Sequence, residues 1–191
     1  LAAMSWEKKF TIFTKAGFEH IVPKGLDHIL FVLGLFFSCL YFRSLLLQVT
    51  AFTIAHSITL LLAALSIFQI PGNIVEPLIA LSICWIAIEN CIFKESNKWR
   101  YLVVFIFGLL HGLGFASVLN QYGLPKDNFI SLLLAFNIGV EIGQLSVLII
   151  AFIVLRLIFK KKWKSKRIRI PASIIIGFVG LFWFIERVFG F

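Results

Sequence analysis

The sequence predicts an all-α fold, a polytopic membrane helical bundle of about six transmembrane helices preceded by a short outer interfacial helix. Three observations carry this expectation. Of 191 residues, 60% are hydrophobic and only 14% charged, where a soluble domain carries about 25% charged residues. Several apolar stretches approach or exceed the roughly 18 residues needed to cross a hydrocarbon core. The charges gather in short segments between those stretches. The excess of 18 Lys and Arg over 9 Asp and Glu therefore reads as membrane topology and argues against a nucleic-acid partner.

Taken in order, residues 1–24 form an N-terminal outer interfacial segment. Its first four residues, "LAAM", read as a remnant foreign to the natural chain, and no complete signal peptide is present. In "FTIFTKAGFEH" the residues Phe10, Phe13, Gly17 and His20 fall at helical spacing. The stretch is too short to cross, so it should lie in the interface with its apolar face down. Pro23 and Gly25 then turn the chain into a six-span transmembrane domain, residues 25–191. The spans are expected near 26–42, 45–69, 74–93, 100–119, 128–158 and 171–190. "QIPGN", "KESNK", "QYGLPKD" and "KKKWKSKRIRIP" punctuate the later joints. Pro77 and Pro171 stand near helix starts, where a missing N–H is tolerated. The fifth span is longer than a bilayer needs and should tilt or protrude.

Basic flanks set the sidedness. Six spans put Arg43, Lys94, Lys98, Arg100 and the eight basic residues from Arg156 to Arg169 on one side, twelve of the eighteen. The basic loop 156–169 is thus expected to be cytoplasmic, with both termini outside and the lipid bilayer as the chain's principal partner.

Cys84 and Cys91 lie seven residues apart on one expected helix, roughly 10 Å by helical rise and too far for a disulfide. With Cys39 they read as small buried hydrophobes. The ionisable residues are different, because one at bilayer depth costs on the order of 2.5–3.5 kcal/mol and needs a reason. All four histidines, His20, His28, His56 and His111, lie within or at the edges of spans, as do Asp27, Glu76, Glu89, Glu141 and Glu186. Helical rise puts His56 and His111 about 15–17 Å into the membrane, with Glu141 arriving near that level from the outer side. His20, Asp27, His28 and Glu76 stand at the outer edge, and Glu89 lies about 20 Å inward of Glu76.

Thr53, His56 and Ser57 share one face of their span, and Asn137, Glu141 and Gln144 share one of theirs. The small pairs Gly108/Gly112 and Gly139/Gly143 should let neighbouring helices approach closely. Imidazole with carboxylate suits a divalent transition metal such as zinc, nickel, cobalt or iron, and the thiolate-poor setting argues against copper(I). Structural roles compete with ligation. Asp27 and Glu76 are also placed to complement helix N-termini, Glu89 to pair with Lys94 or Arg100, Glu186 with Arg187, and the midplane group to form an interhelical hydrogen-bond cluster.

The stretches "GFEHIVPKGLDHILFVLGL", "FTIAHSITLLLA", "VEPLIALSICWIAIEN", "FGLLHGLGFA" and "FNIGVEIGQL" together resemble the HupE/UreJ family of bacterial membrane proteins, from Gly17 to Gln144. The last span is generic. The resemblance implies a multi-pass protein of the bacterial inner membrane, concerned with nickel or cobalt uptake for hydrogenase and urease maturation. It sets His20, Asp27, His28, His56, Glu76, Glu89, His111 and Glu141 at the motif positions. Six residues separate His20 from Asp27, where many relatives have five. An upstream extracytoplasmic domain or a metalloenzyme maturation partner would be a further partner of such a protein.

Two functions follow from the ligand pattern. The first is a nickel, cobalt or zinc transporter, with an outer capture site at His20, Asp27 and His28, a midplane site at His56, His111 and Glu141, and Glu89 further in. Conduction needs several sites that admit an ion and release it. The second is an intramembrane metal-dependent hydrolase, in which zinc activates water beside Glu141 or Glu76 as general base for a peptide or lipid substrate.

Overall fold

The computed structural model describes residues 4–38, 41–93, 99–121, 128–160 and 165–190, with only the backbone described over 115–121. Cys39 and the lysines Lys94, Lys98, Lys126, Lys161, Lys162 and Lys164, which enter the sidedness count, lie outside the described residues. The described chain forms seven helices and contains no strand: α1 (Trp6–Ile21), α2 (Leu26–Ser38), α3 (Phe42–Ala64), α4 (Gly72–Ile92), α5 (Trp99–Gln121), α6 (Phe129–Phe159) and α7 (Lys166–Phe189).

This is a helical membrane bundle. Among the described residues α3, α4, α6 and α7 are each long and apolar enough to cross a bilayer. The pair α1 and α2 qualifies jointly as one span bent by 69°. α5 is apolar over Trp99–Gly114. The first expected span, 26–42, is shorter than its apolar run suggests. α2 stops at Ser38 after 13 residues, about 20 Å by helical rise against a core about 30 Å thick. Within the described residues α2 is thus too short to cross alone, and only the bent pair of α1 and α2 has the length and composition of a span.

The break has a local cause. Proline lacks the N–H that would continue α1 and forces its predecessor out of helical geometry. Val22 is accordingly extended, at φ −122° and ψ 114°, with its N–H still donating to Phe18 O at 2.8 Å. Gly25 then passes so close beneath α1 that a Cβ there would overlap the His20 carbonyl oxygen. Pro77 and Pro171 sit one turn inside α4 and α7 and do not open them.

The helices associate chiefly as α3 with α5, α1 with α6, and α4 with α7. Phe31, Leu35, Phe52, Ile83, Ile86 and Leu148 fill one core, while Phe13, Ile21, Leu60, Leu132 and Phe136 fill a second between α1, α3 and α6. Large apolar residues such as Ile54, Trp85, Ile88, Ile142, Ile153 and Phe178 point outward. Gln48, His56, Asn90, Arg100, His111 and Gln144 point inward and are buried. Lipid is the solvent that makes this distribution stable.

Candidate metal centre

Two close helix crossings build the site. The α3–α5 crossing uses the glycine pair that the sequence marks: a Cβ on Gly112 would overlap the His56 carbonyl oxygen. This sets His56 and His111 at one level on adjoining helices. The second pair, Gly139 and Gly143, also marks a close approach, but its partner is α1. A Cβ on Gly139 would overlap the Thr14 carbonyl oxygen, and one on Gly17 the Phe136 carbonyl oxygen. The segment expected in the outer interface is thus packed along α6, and its last turn carries His20 inward. The bend after Ile21 then returns the chain so that His28, in the first turn of α2, meets it.

The four histidines consequently come together from four helices. Ring centroids lie 4.7 Å apart for His20 and His28, 5.6 Å for His28 and His56, 5.8 Å for His20 and His56, and 4.8 Å for His28 and His111. One ring nitrogen from each of His20, His28 and His56 can be chosen so that all lie within 4.8 Å of one another. Metal–imidazole bonds of about 2.0–2.1 Å put tetrahedral ligands roughly 3.3 Å apart, so seating an ion requires only modest side-chain rotation.

The hydrogen-bond inventory points the same way. His28, His56 and His111 are buried, and His28 Nε2, both ring nitrogens of His56, and His111 Nε2 have no hydrogen-bond partner among the described residues. The Asn137 side chain interacts with His56, and its Oδ1 has no other hydrogen-bond partner among the described residues. Leaving a buried polar group unsatisfied costs about 1–3 kcal/mol, so a convergent group of such nitrogens could hold a metal ion. His111 Nδ1 lies 2.8 Å from Phe107 O. A carbonyl only accepts, so Nδ1 donates, and Nε2 is left with its lone pair. Metal-binding imidazoles are characteristically oriented by such a bond. Phe31 and Phe52 close the cluster from below, with centroids 5.2 Å and 4.9 Å from His111.

The structure regroups the candidate residues. His20 and His28, expected at the outer edge, and His56 and His111, expected at the midplane, occupy one cluster. Depth counted along straight, separate spans does not anticipate the bend between α1 and α2. The acidic candidates stand apart from that three-histidine group. Glu141 Oε1 accepts a bond from Thr50 Oγ1 at 2.8 Å. Glu76 stays near the start of α4, its Oε1 beside Gly72. Glu89 pairs with Arg100 at 3.3 Å. Asp27 is held by Arg187, whose Nη2 donates to both carboxylate oxygens at 3.0 Å. The expected pairing of Arg187 with Glu186 gives way to this contact, because neighbouring residues on a helix point apart.

Two arginines thus matter more than the sequence reading suggests. Arg100, read as a basic flank and as one of two candidate partners of Glu89, makes that pairing, is buried, and also donates to Gln48 Oε1 and Asn90 Oδ1, each at 3.2 Å. The signal available for it was Gln48 and Asn90, two amides within apolar helices that need partners. Cys84 and Cys91 are free thiols; Cys84 is buried as expected, whereas Cys91, one residue before the end of α4, is only partly buried.

No curated protein and no solved structure matches this sequence significantly. The sequence model of one family, described as HupE / UreJ protein, matches residues 1–187. With nearly the whole chain covered, this membrane protein belongs to the HupE/UreJ family.

Proposed function

We propose that the protein transports a divalent transition metal ion, nickel or cobalt by family and zinc by the same ligand chemistry, across the bacterial inner membrane. The convergence of His20, His28, His56 and His111 from four helices is the observation that carries this reading. Neutral imidazoles of this kind replace the hydration shell of a borderline cation. Phe31 and Phe52 beneath the cluster exclude water, so an ion resting there is separated from the far side until they move. Asp27, beside His28 in sequence, supplies the negative charge that attracts the ion, and Glu89 offers a carboxylate further along.

In this reading the termini and the Asp27 end face outward, and the basic loop 156–169 is cytoplasmic. The hydrolase alternative requires a carboxylate base next to the metal, whereas Glu141 is engaged by Thr50 and Glu76 lies at the start of α4, outside the three-histidine group. The test is flux into proteoliposomes under an imposed gradient of nickel, cobalt or zinc, with the folded His56→Ala/His111→Ala variant as control. Uptake by the parent and not by the variant supports transport. No uptake of any of the three metals, together with one metal that leaves only on unfolding, overturns it.

A further inference from the structure

Two acidic residues adjoin a cluster histidine in sequence, Glu19 before His20 and Asp27 before His28; Glu19 pairs with the local lysines Lys15 and Lys24, whereas Asp27 is held by a cation from a distant helix. Arg187, in the last turn of α7, reaches across to α2. Its Nη2 is shared between Asp27 Oδ1 and Oδ2 at 3.0 Å each, and its Nη1 donates to Glu76 O at 3.0 Å. Its guanidinium carbon lies 5.5 Å from the Trp183 ring centroid. The pair is only partly shielded, with side-chain exposures of 20% for Arg187 and 27% for Asp27.

From this geometry we infer that Arg187 is a built-in competitor for the arriving metal ion. It neutralises Asp27 while the histidine site is empty and exchanges with the divalent cation when one binds. Two features make the exchange feasible. First, the contact is solvent-accessible and uses one guanidinium nitrogen, not the two-nitrogen fork that makes arginine–carboxylate pairs strong. Second, the released guanidinium keeps the Glu76 carbonyl and the Trp183 ring as partners, so it is never left bare. The consequence is selectivity by charge: a divalent ion gains more from Asp27 than a single guanidinium or a monovalent ion does. α7 becomes the element that sets how readily the outer end accepts metal.

This inference rests on the transport reading and is tested separately from it. Full-length protein in nanodiscs is treated with phenylglyoxal, and modification of Arg187 is followed by peptide mass spectrometry with and without NiCl2, alongside a direct nickel-binding titration. Nickel should speed modification of Arg187 several-fold, and in Asp27→Asn the rate should be high without metal. Arg187→Gln should bind nickel roughly threefold to fivefold more tightly, the scale of a lost partly exposed ion pair. If the parent binds nickel while modification of Arg187 is unchanged, Arg187 is a fixed structural tie and the inference is wrong although the site is right. If the parent binds none of nickel, cobalt or zinc, the transport reading and this exchange fall together.

Discussion

Replacing Arg100 with methionine tests whether the two ends of the bundle act independently. Arg100 is 2% exposed, and its partner Glu89 is 14% exposed. Its side chain ties α5 to Gln48 of α3 and to Glu89 and Asn90 of α4. Asn90 in turn donates to Gly34 O of α2 at 2.8 Å and to Ser173 Oγ of α7 at 3.2 Å. Methionine preserves most of the volume, so packing loss is small. The loss is electrostatic, because Glu89 keeps its charge without a counterion and Gln48 and Asn90 each lose a donor. Breaking a buried pair from one side costs about 3–5 kcal/mol. The residual exposure of Glu89 reduces that, while the two lost interhelical bonds add about 0.6 kcal/mol each. A destabilisation of about 2–4 kcal/mol is expected, read from reversible unfolding in mixed micelles by far-UV circular dichroism. Glu89→Gln in the same chain should restore more than half of it. Arg100 is eleven residues from His111, about 16 Å along α5, so nickel affinity should change less than twofold. A loss below 1 kcal/mol would refute the reasoning about the pair, and collapse of nickel binding in a folded variant would refute the independence of the site.

Other consequences follow from the same geometry. The folded His56→Ala/His111→Ala variant should lose at least tenfold in affinity for nickel or cobalt by equilibrium dialysis, since it deletes two of four converging imidazoles. Metal binding should weaken as pH falls, because ligation needs neutral imidazole and protons then compete for the same nitrogens; the affinity curve against pH checks the direction. Gly17→Ala drives a methyl into the Phe136 carbonyl, a backbone atom that cannot rotate away. It should cost about 1–3 kcal/mol as overpacking and weaken metal binding by displacing His20.

How much of this was legible in sequence depended on whether a residue's role was local or relational. His56 and His111 announced themselves because an ionisable group deep in a membrane helix is costly wherever the helix lies. Gly108/Gly112 and Gly139/Gly143 announced close approach for the same kind of reason. What they approach was not legible for either pair. Gly139 packs on α1, a helix that its own sequence presents as an interfacial segment. Depth along each span was countable, but rotation and neighbour order were not. Hence Asp27 and Glu89 read as ligands; the pairing of Glu89 with Arg100, 11 residues away, was among the alternatives in the sequence, whereas Arg187, 160 residues from Asp27, did not suggest itself as its partner. The bend at Val22–Gly25 was visible as Pro and Gly. That it would carry two outer histidines into the cluster depended on how α1 docks against α6.

The most direct test of the central claim is X-ray absorption of the nickel- or cobalt-loaded full-length protein at the metal edge. The account predicts at least three imidazole nitrogens at about 2.0–2.1 Å, a signal that falls when His56 and His111 are replaced. A shell of oxygen ligands alone, or an imidazole shell unchanged in that variant, would contradict it.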